Sequence, residues 1–275
     1  MTPARNSNVQ LLAVLVDWDD EEEGEYRFLV DGKDTKYVTV DLGVLPKDNR
    51  TFGPVLIPLL PPFPPGDWNE GHVSKDPLSG QPVFSRYTRS DLPEISNTWH
   101  HMRIDHLEFK QLCQLRQNIH VVTHSLFGQP LVVKFAEFPW QMPYFEAETT
   151  AYEWLDSHGI GPKFIAHLTE AGRVFGFVTE YIDGARFADI GDLAACQEIL
   201  SRLHSLGIKH GDINKYNILI REGKAMLVDF EVSQRCNEKQ ELEAEYEQLE
   251  ASLSDTSQRG VPYMDMGDVQ QALQQ

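Results

Sequence analysis

Three apolar, β-forming runs open the chain, VQLLAVLVDW (9–18), EYRFLVDG (25–32) and TKYVTVDLGVL (35–45), separated by acidic or Gly-containing turns. They predict a small antiparallel meander. From 54 to 93 prolines crowd the sequence, beginning GPVLIPLLPPFPPGDWNEG, and this composition predicts an extended connector rather than regular structure, and with it a domain boundary. Beyond it, HLEFKQLCQLRQNIHVVTHS and QPLVVKFAEF read as strands, YFEAETTAYEWLDSHG as a helix stopped by Gly159, and RVFGFVTEYIDG as another strand. Ile199, Leu203 and Leu206 fall at helical spacing in DLAACQEILSRLHSLG, a helix that Gly207 ends. NILI and MLVD then flank REGKA as a hairpin centred near Gly223, and EKQELEAEYEQLEASLS predicts a charged, exposed helix. Strands, helix, strand, helix and hairpin in that order predict an α+β fold.

With 275 residues, 41% of them hydrophobic, the chain can build one large domain or two small ones. The three cysteines, Cys113, Cys196 and Cys236, are far apart and lack metal-type spacing, so a reduced intracellular protein is expected. LLAVLV at 11–16 is too short, and too acidic on its far side, for a signal peptide or membrane span. A soluble cytoplasmic chain with no membrane partner follows. The 24 basic against 42 acidic residues leave a net charge of −18, which opposes binding a phosphate backbone except at a local basic patch. The acidic turn DWDDEEEGE reads as solvated, and His100, His101 and His106 lack partners at zinc-ligand spacing.

Chemistry concentrates around the hairpin. Asn217 and Asp229 stand six residues on either side of Gly223, so pairing about that centre sets them opposite each other. A carboxamide oxygen and a carboxylate form an incomplete cage of hard ligands, of the kind that suits Mg²⁺ shared with phosphates. Asp212 precedes Asn217 on the loop into the hairpin, placed to act beside that metal. Taken singly, each of these residues reads first as a turn or strand cap. Lys134 weakens that plainer reading, because it lies inside LVVKFA, a run that looks like a buried strand where an ammonium needs a partner. On the following helix Phe145, Ala151, Tyr152 and Leu155 define the apolar stripe and Glu148 falls within it. Lys134 and Glu148 are therefore expected to pair.

In order, the chain shows a strand Lys, a helix Glu, VTEYIDG as a hinge-like strand end, His-Gly-Asp-x-x-x-x-Asn at 210–217 and Asp-Phe-Glu at 229–231. Over about residues 105–235 this resembles the protein-kinase-like fold, most of all the small atypical kinases of RIO type, the KEOPS-associated kinases and the aminoglycoside phosphotransferases, and it is similar to kinase-like proteins of filamentous fungi. The resemblance implies ATP and Mg²⁺ as cofactors. It implies Asp212 and Lys134 as catalytic residues, with Lys134 on the α/β-phosphates and Glu148 orienting it. It further implies the backbone near Glu180 and Ile182 as the adenine contact, and Asn217 and Asp229 as metal ligands. The implied fold is two-lobed, with residues 1–95 as a β-rich extension, 96–182 as the N-lobe and 183–275 as a minimal C-lobe.

The pattern also departs from that family. Arg116, Gln117 and Asn118 occupy the place where glycines would let amides approach phosphates, and Glu231 replaces the glycine after Asp229-Phe230. The stretch after Glu231 is too short for a peptide-binding platform. The leading expectation is thus an ATP- and Mg²⁺-dependent phosphotransferase acting on a small-molecule acceptor, neutral or cationic given the acidic surface. The alternatives are a kinase-like scaffold, or the same fold transferring an adenylyl or aminoacyl group; the aminoacyl case admits a tRNA partner that the net charge disfavours.

Overall fold

The computed structural model describes residues 5–19, 21–257, 260–264 and 266–273. The chain divides into two compact units, one formed by residues up to Pro93 with Glu137–Pro139, the other by Glu94–Ala136 and the residues from Trp140 onward.

In the first unit β1 (Val9–Leu15), β2 (Gly24–Val30) and β3 (Asp34–Val40) form the expected antiparallel meander. The Pro-rich stretch is not a connector. It contains α1 (Gly53–Leu59), β4 (Glu70–Lys75) and β5 (Pro82–Thr88), and the sheet has five strands in the order β1-β2-β3-β4-β5, with β3 and β4 parallel. Two of the prolines sit where the lost N–H is harmless, Pro54 in the first turn of α1 and Pro82 at the start of the edge strand β5, while Pro58 lies inside the short helix α1 near its end. The apolar residues between them go inward, with Leu56 and Leu60 fully buried and Trp68 at 3% exposure beside Tyr26, Phe28 and Val73.

The second unit holds a six-stranded sheet of β6 (Arg103–Asp105), β7 (Lys110–Arg116), β8 (Ile119–Thr123), β9 (Leu131–Phe135), β10 (Phe164–Glu170) and β11 (Arg173–Glu180), in the order β6-β10-β11-β9-β8-β7. β9 is therefore interior, which is what its unbroken apolar run requires. The helix α2 (Met142–Leu155) packs on the sheet through Phe145, Ala151 and Tyr152. A short sheet follows, of β12 (Arg186–Phe187), β14 (Ile218–Arg221) and β15 (Lys224–Leu227), with α3 (Leu193–Ser205) against β15 and β13 (Ile208–Lys209) paired to β16 (Gln234–Arg235). The helices α4 (Lys239–Ser254) and α5 (Met266–Leu273) come last. The whole is an α+β fold. Among the described residues no helix is long and apolar enough to cross a membrane.

Two expectations need correction. The hairpin turns on Glu222 and Gly223, with φ +51° and +75°, the two positive values that a two-residue turn matching strand twist demands. Its register pairs Ile218 with Leu227, so Asn217 faces Val228, whose N–H donates to the Asn217 carbonyl at 3.0 Å, and Asp229 lies one residue further on. The pivot falls between two residues rather than on Gly223. In addition, α4 is not an exposed helix: Glu245, Leu249 and Leu253, four residues apart, form a buried stripe that the surrounding glutamates obscured in the sequence.

The position of β9 depends on a glycine. Gly176 of β11 pairs with Phe135, and a Cβ there would overlap the Lys134 carbonyl oxygen and come within 2.7 Å of the Phe135 Cα. No backbone can yield that much. Gly176→Ala should therefore cost about 1–3 kcal/mol or more, as over-packing does, seen as a lower midpoint in denaturant unfolding followed by near-ultraviolet circular dichroism. An unchanged midpoint would show that the two strands are free to separate.

Candidate active site

Lys134 is 6% exposed on the interior strand, and burial of an ammonium is tolerable only beside opposite charge. Three carboxylates supply it. Nζ lies 2.6 Å from Glu148 Oε2, in contact with Asp229 Oδ1, and 3.7 Å from Glu231 Oε2. Burial alone would pull the lysine down, but Glu148, Asp229 and Glu231 outweigh it and hold Lys134 above its ordinary value. Glu148 is also displaced upward, first by its own burial and then by the charges of Asp229 and Glu231, against the pull of Lys134. A simple pair would move lysine up and glutamate down. Here several acids compete for one ammonium, and the most buried of them loses most. Asp229 goes the other way: burial raises it, but Lys134 and Arg116 more than offset that and keep it below the usual carboxylate range.

Local structure fixes Asp229. Its backbone enters the left-handed region at φ +69°, a conformation Asp tolerates better than most residues. The adjoining Phe230 is fully buried between Tyr152 and His210, and its N–H donates to Glu148 Oε1 at 3.2 Å. Helix α2 thus holds both the lysine and the segment that bears Asp229.

The second half of the site is the loop from His210 to Asn217. Asn217 Nδ2 donates to the Asp212 carbonyl at 3.0 Å and to Asp212 Oδ2 at 3.1 Å, and Asn214 Nδ2 reaches the same Oδ2 at 3.1 Å. The Asp212 carboxylate is therefore oriented by two amides. Asn217 is 1% exposed, and its Oδ1 has no hydrogen-bond partner among the described residues. Such an orphan acceptor is costly unless something else occupies it. His210 is fully buried, and that burial lowers its pKa, so it stays neutral. Its Nε2 donates to the Val228 carbonyl at 3.1 Å while Nδ1 accepts from the Asp212 N–H at 3.4 Å, an arrangement that only the Nε2–H tautomer satisfies.

Lys134, Glu148, Asn217 and Asp229 line one cleft. Leu115, Ile119, Val132, Leu219 and Val228 give it apolar walls, and Glu180, Tyr181 and Ile182 border it. Glu180 is itself tied to Lys163, accepting from its N–H at 2.7 Å and donating its own N–H to the Lys163 carbonyl at 3.0 Å. Asp212 lies one hydrogen bond beyond the lining residue Asn217. The structure thus gathers every site residue expected from the sequence. An apolar slot ending in a lysine, a buried orphan amide oxygen and an ionised aspartate fits a flat base followed by phosphates and a hard divalent cation.

Sequence reasoning missed Glu245 of α4. Its Oε1 accepts from the Gly211 N–H at 2.6 Å, and its Oε2 accepts from the His210 N–H at 3.1 Å and from His204 Nε2 at 2.7 Å. Its place in the i, i+4, i+8 stripe was the available signal. Burial would raise its pKa, yet the His204 hydrogen bond and the two amides hold it below its ordinary 4.5. Since the folded value is depressed, the stabilisation is complete above pH 4.5 and is lost as pH falls below that. Glu245→Ala strands two buried N–H donors and should cost roughly 2–4 kcal/mol. The gap in unfolding free energy between wild type and Glu245→Gln should be full near neutral pH and shrink toward pH ~4; a gap independent of pH would mean that the carboxylate charge contributes nothing.

Comparison with known proteins bears on the same residues. Residues 185–272, which include Asp212, Asn217 and Asp229, match the Lipopolysaccharide kinase (Kdo/WaaP) family. A stretch of 63 residues is 36% identical to the KEOPS complex subunit Bud32 of Pyrococcus abyssi, covering 19% of this chain and 29% of that protein. Another of 83 residues is 34% identical to a probable bifunctional tRNA threonylcarbamoyladenosine biosynthesis protein of Methanothermobacter thermautotrophicus, covering 29% of this chain and 16% of that protein. The chain spans less than a third of either curated relative. These matches and the α+β topology of the second unit are consistent with an atypical protein-kinase-like fold.

Proposed function

We propose that the protein is an ATP- and Mg²⁺-dependent phosphotransferase with a small-molecule acceptor. The observation that carries this reading is the convergence of the Lys134–Glu148–Asp229 cluster and the orphan Asn217 Oδ1 on one apolar-walled cleft. ATP would supply the phosphoryl group, and Mg²⁺ the neutralisation of charge as it moves. Lys134 meets the phosphates and Glu148 keeps it aimed. Asn217 Oδ1 and the Asp229 carboxylate hold the cation, and the backbone near Glu180 and Ile182 meets the base. Asp212, oriented by Asn214 and Asn217, accepts the proton of the acceptor hydroxyl. Residues 96–182 and 183–275 would act as the two lobes on either side of the nucleotide.

The acceptor is expected to be small because residues 230–238 alone join Asp229 to α4, too little for a long segment that docks a peptide. The net charge of −18 favours a neutral or cationic one over a tRNA. A binding-only role is the second reading. It is favoured by the engagement of both Asp229 oxygens with cations of the chain itself, Lys134 and Arg116.

Two substitutions separate these readings. Asp212→Asn keeps shape and removes the base, so ATP affinity and melting temperature should stay near wild type while ADP formation with acceptor falls by roughly 10² to 10⁴. Lys134→Ala should weaken ATP binding as well and lower stability, because Glu148 loses its counter-charge. Full activity in Asp212→Asn would contradict the assignment. Release of pyrophosphate instead of ADP, with AMP left on the acceptor, would point to adenylyl transfer, and ATP binding without turnover to the scaffold.

A further inference from the structure

The cleft lacks the usual means of gripping a triphosphate. β7 and β8 are joined by Gln117 and Asn118 alone, with Arg116 paired to Ile119, so this is a tight hairpin and not a loop that can fold over phosphates. The turn is also pinned: the Asn118 carbonyl accepts from the Phe135 N–H at 3.2 Å, and the Gln117 carbonyl accepts from Gln114 Nε2 at 3.0 Å. It contains no glycine whose absent side chain would let backbone amides approach an anion. Charge poses the same problem. Glu148, Glu180 and Asp229 line the cleft, and besides Lys134 its one basic lining residue, among those described, is Arg116.

Arg116 sits at the base of this hairpin and reaches into the cleft. Nη1 donates to Asp229 Oδ2 at 3.1 Å, and Nη2 donates to the Gly260 carbonyl at 2.6 Å. The Gly260 segment is in turn fixed to the same strand, because the Tyr263 N–H donates to the Leu115 carbonyl at 2.8 Å, and Pro262 beside it lines the cleft. A guanidinium held from behind by a carbonyl, and facing a carboxylate that the cation is expected to share, is poised to exchange one anionic partner for another. Its planar array of five N–H donors suits phosphate oxygens better than any other side chain.

We infer that Arg116 is a nucleotide-binding residue that grips the phosphates in place of a glycine-rich loop, leaving Asp229 Oδ2 when the nucleotide enters. The inference rests on the ATP-dependent reading above and extends it. Arg116 then serves two charge states of one cleft. Without nucleotide it neutralises Asp229; with nucleotide it frees that oxygen for the cation and moves its own charge to the phosphates.

The test is to titrate the full chain, with Mg²⁺, with adenosine, AMP, ADP and ATP, in wild type and in Arg116→Ala, Arg116→Gln and Arg116→Lys, recording melting temperatures alongside. Wild type should bind ATP more tightly than adenosine. Arg116→Ala and Arg116→Gln should lose about 10- to 100-fold in ATP affinity, the worth of a charge-assisted contact, with adenosine affinity unchanged. Arg116→Lys should recover part of the loss. The Gln variant keeps a donor for the Gly260 carbonyl, so it separates lost charge from a loosened segment. ATP affinity unaltered in Arg116→Ala, or adenosine and ATP weakened equally, overturns the role of Arg116 while leaving the nucleotide reading intact. A wild-type protein that gains nothing from the phosphates overturns both.

Discussion

One ammonium buried among three carboxylates organises the second unit. Lys134 cannot lie in the interior of a sheet without counter-charge, and its partners come from different elements, Glu148 from α2 and Asp229 and Glu231 from beyond the hairpin. The lysine therefore ties the sheet, the helix and the segment after β15 to one point. The arrangement is not neutral. Arg116 offsets part of the excess negative charge at Asp229, and burial pushes Glu148 upward, so the cluster has room for a further cation and for anionic groups that draw Lys134 and Arg116 away.

The loop from His210 to Asn217 depends on a second buried charge. Glu245 reaches from α4 to the backbone of His210 and Gly211, and the ring of neutral His210 links Val228 to Asp212. Gly211 takes φ +87°, and a Cβ there would come within 2.7 Å of the Val232 carbonyl oxygen, so this turn needs a glycine. Position 211 is thus decided by packing against the turn that follows Asp229, and the shape of the loop is tied to that of the segment bearing Asp229.

Much of the site was legible in the sequence because its residues break a pattern. Lys134 interrupts an apolar strand and Glu148 an apolar helical stripe, and each interruption implied the other. Asp212, Asn217 and Asp229 were marked by spacing. Glu245 stayed hidden since one more glutamate in an acidic helix interrupts nothing. The Pro-rich stretch misled for a different reason: proline excludes interior helix and central strand positions, but α1 and β5 place Pro54 and Pro82 at termini and edges where that exclusion does not apply. The pairing of Asn217 failed by one residue, the difference between a turn centred on Gly223 and one centred between Glu222 and Gly223.

In the proposed function, Asn217 Oδ1 and Asp229 form half of a cation site that nucleotide completes. It is tested most directly by the thermal stabilisation of the full chain by ATP, measured with Mg²⁺ and with EDTA in wild type and in Asp229→Asn. Two protein ligands alone hold Mg²⁺ weakly, so ATP and Mg²⁺ together should raise the melting temperature clearly more than either alone, and the excess should vanish in Asp229→Asn. Equal stabilisation by ATP with and without the chelator, or an excess that survives in Asp229→Asn, would contradict the account.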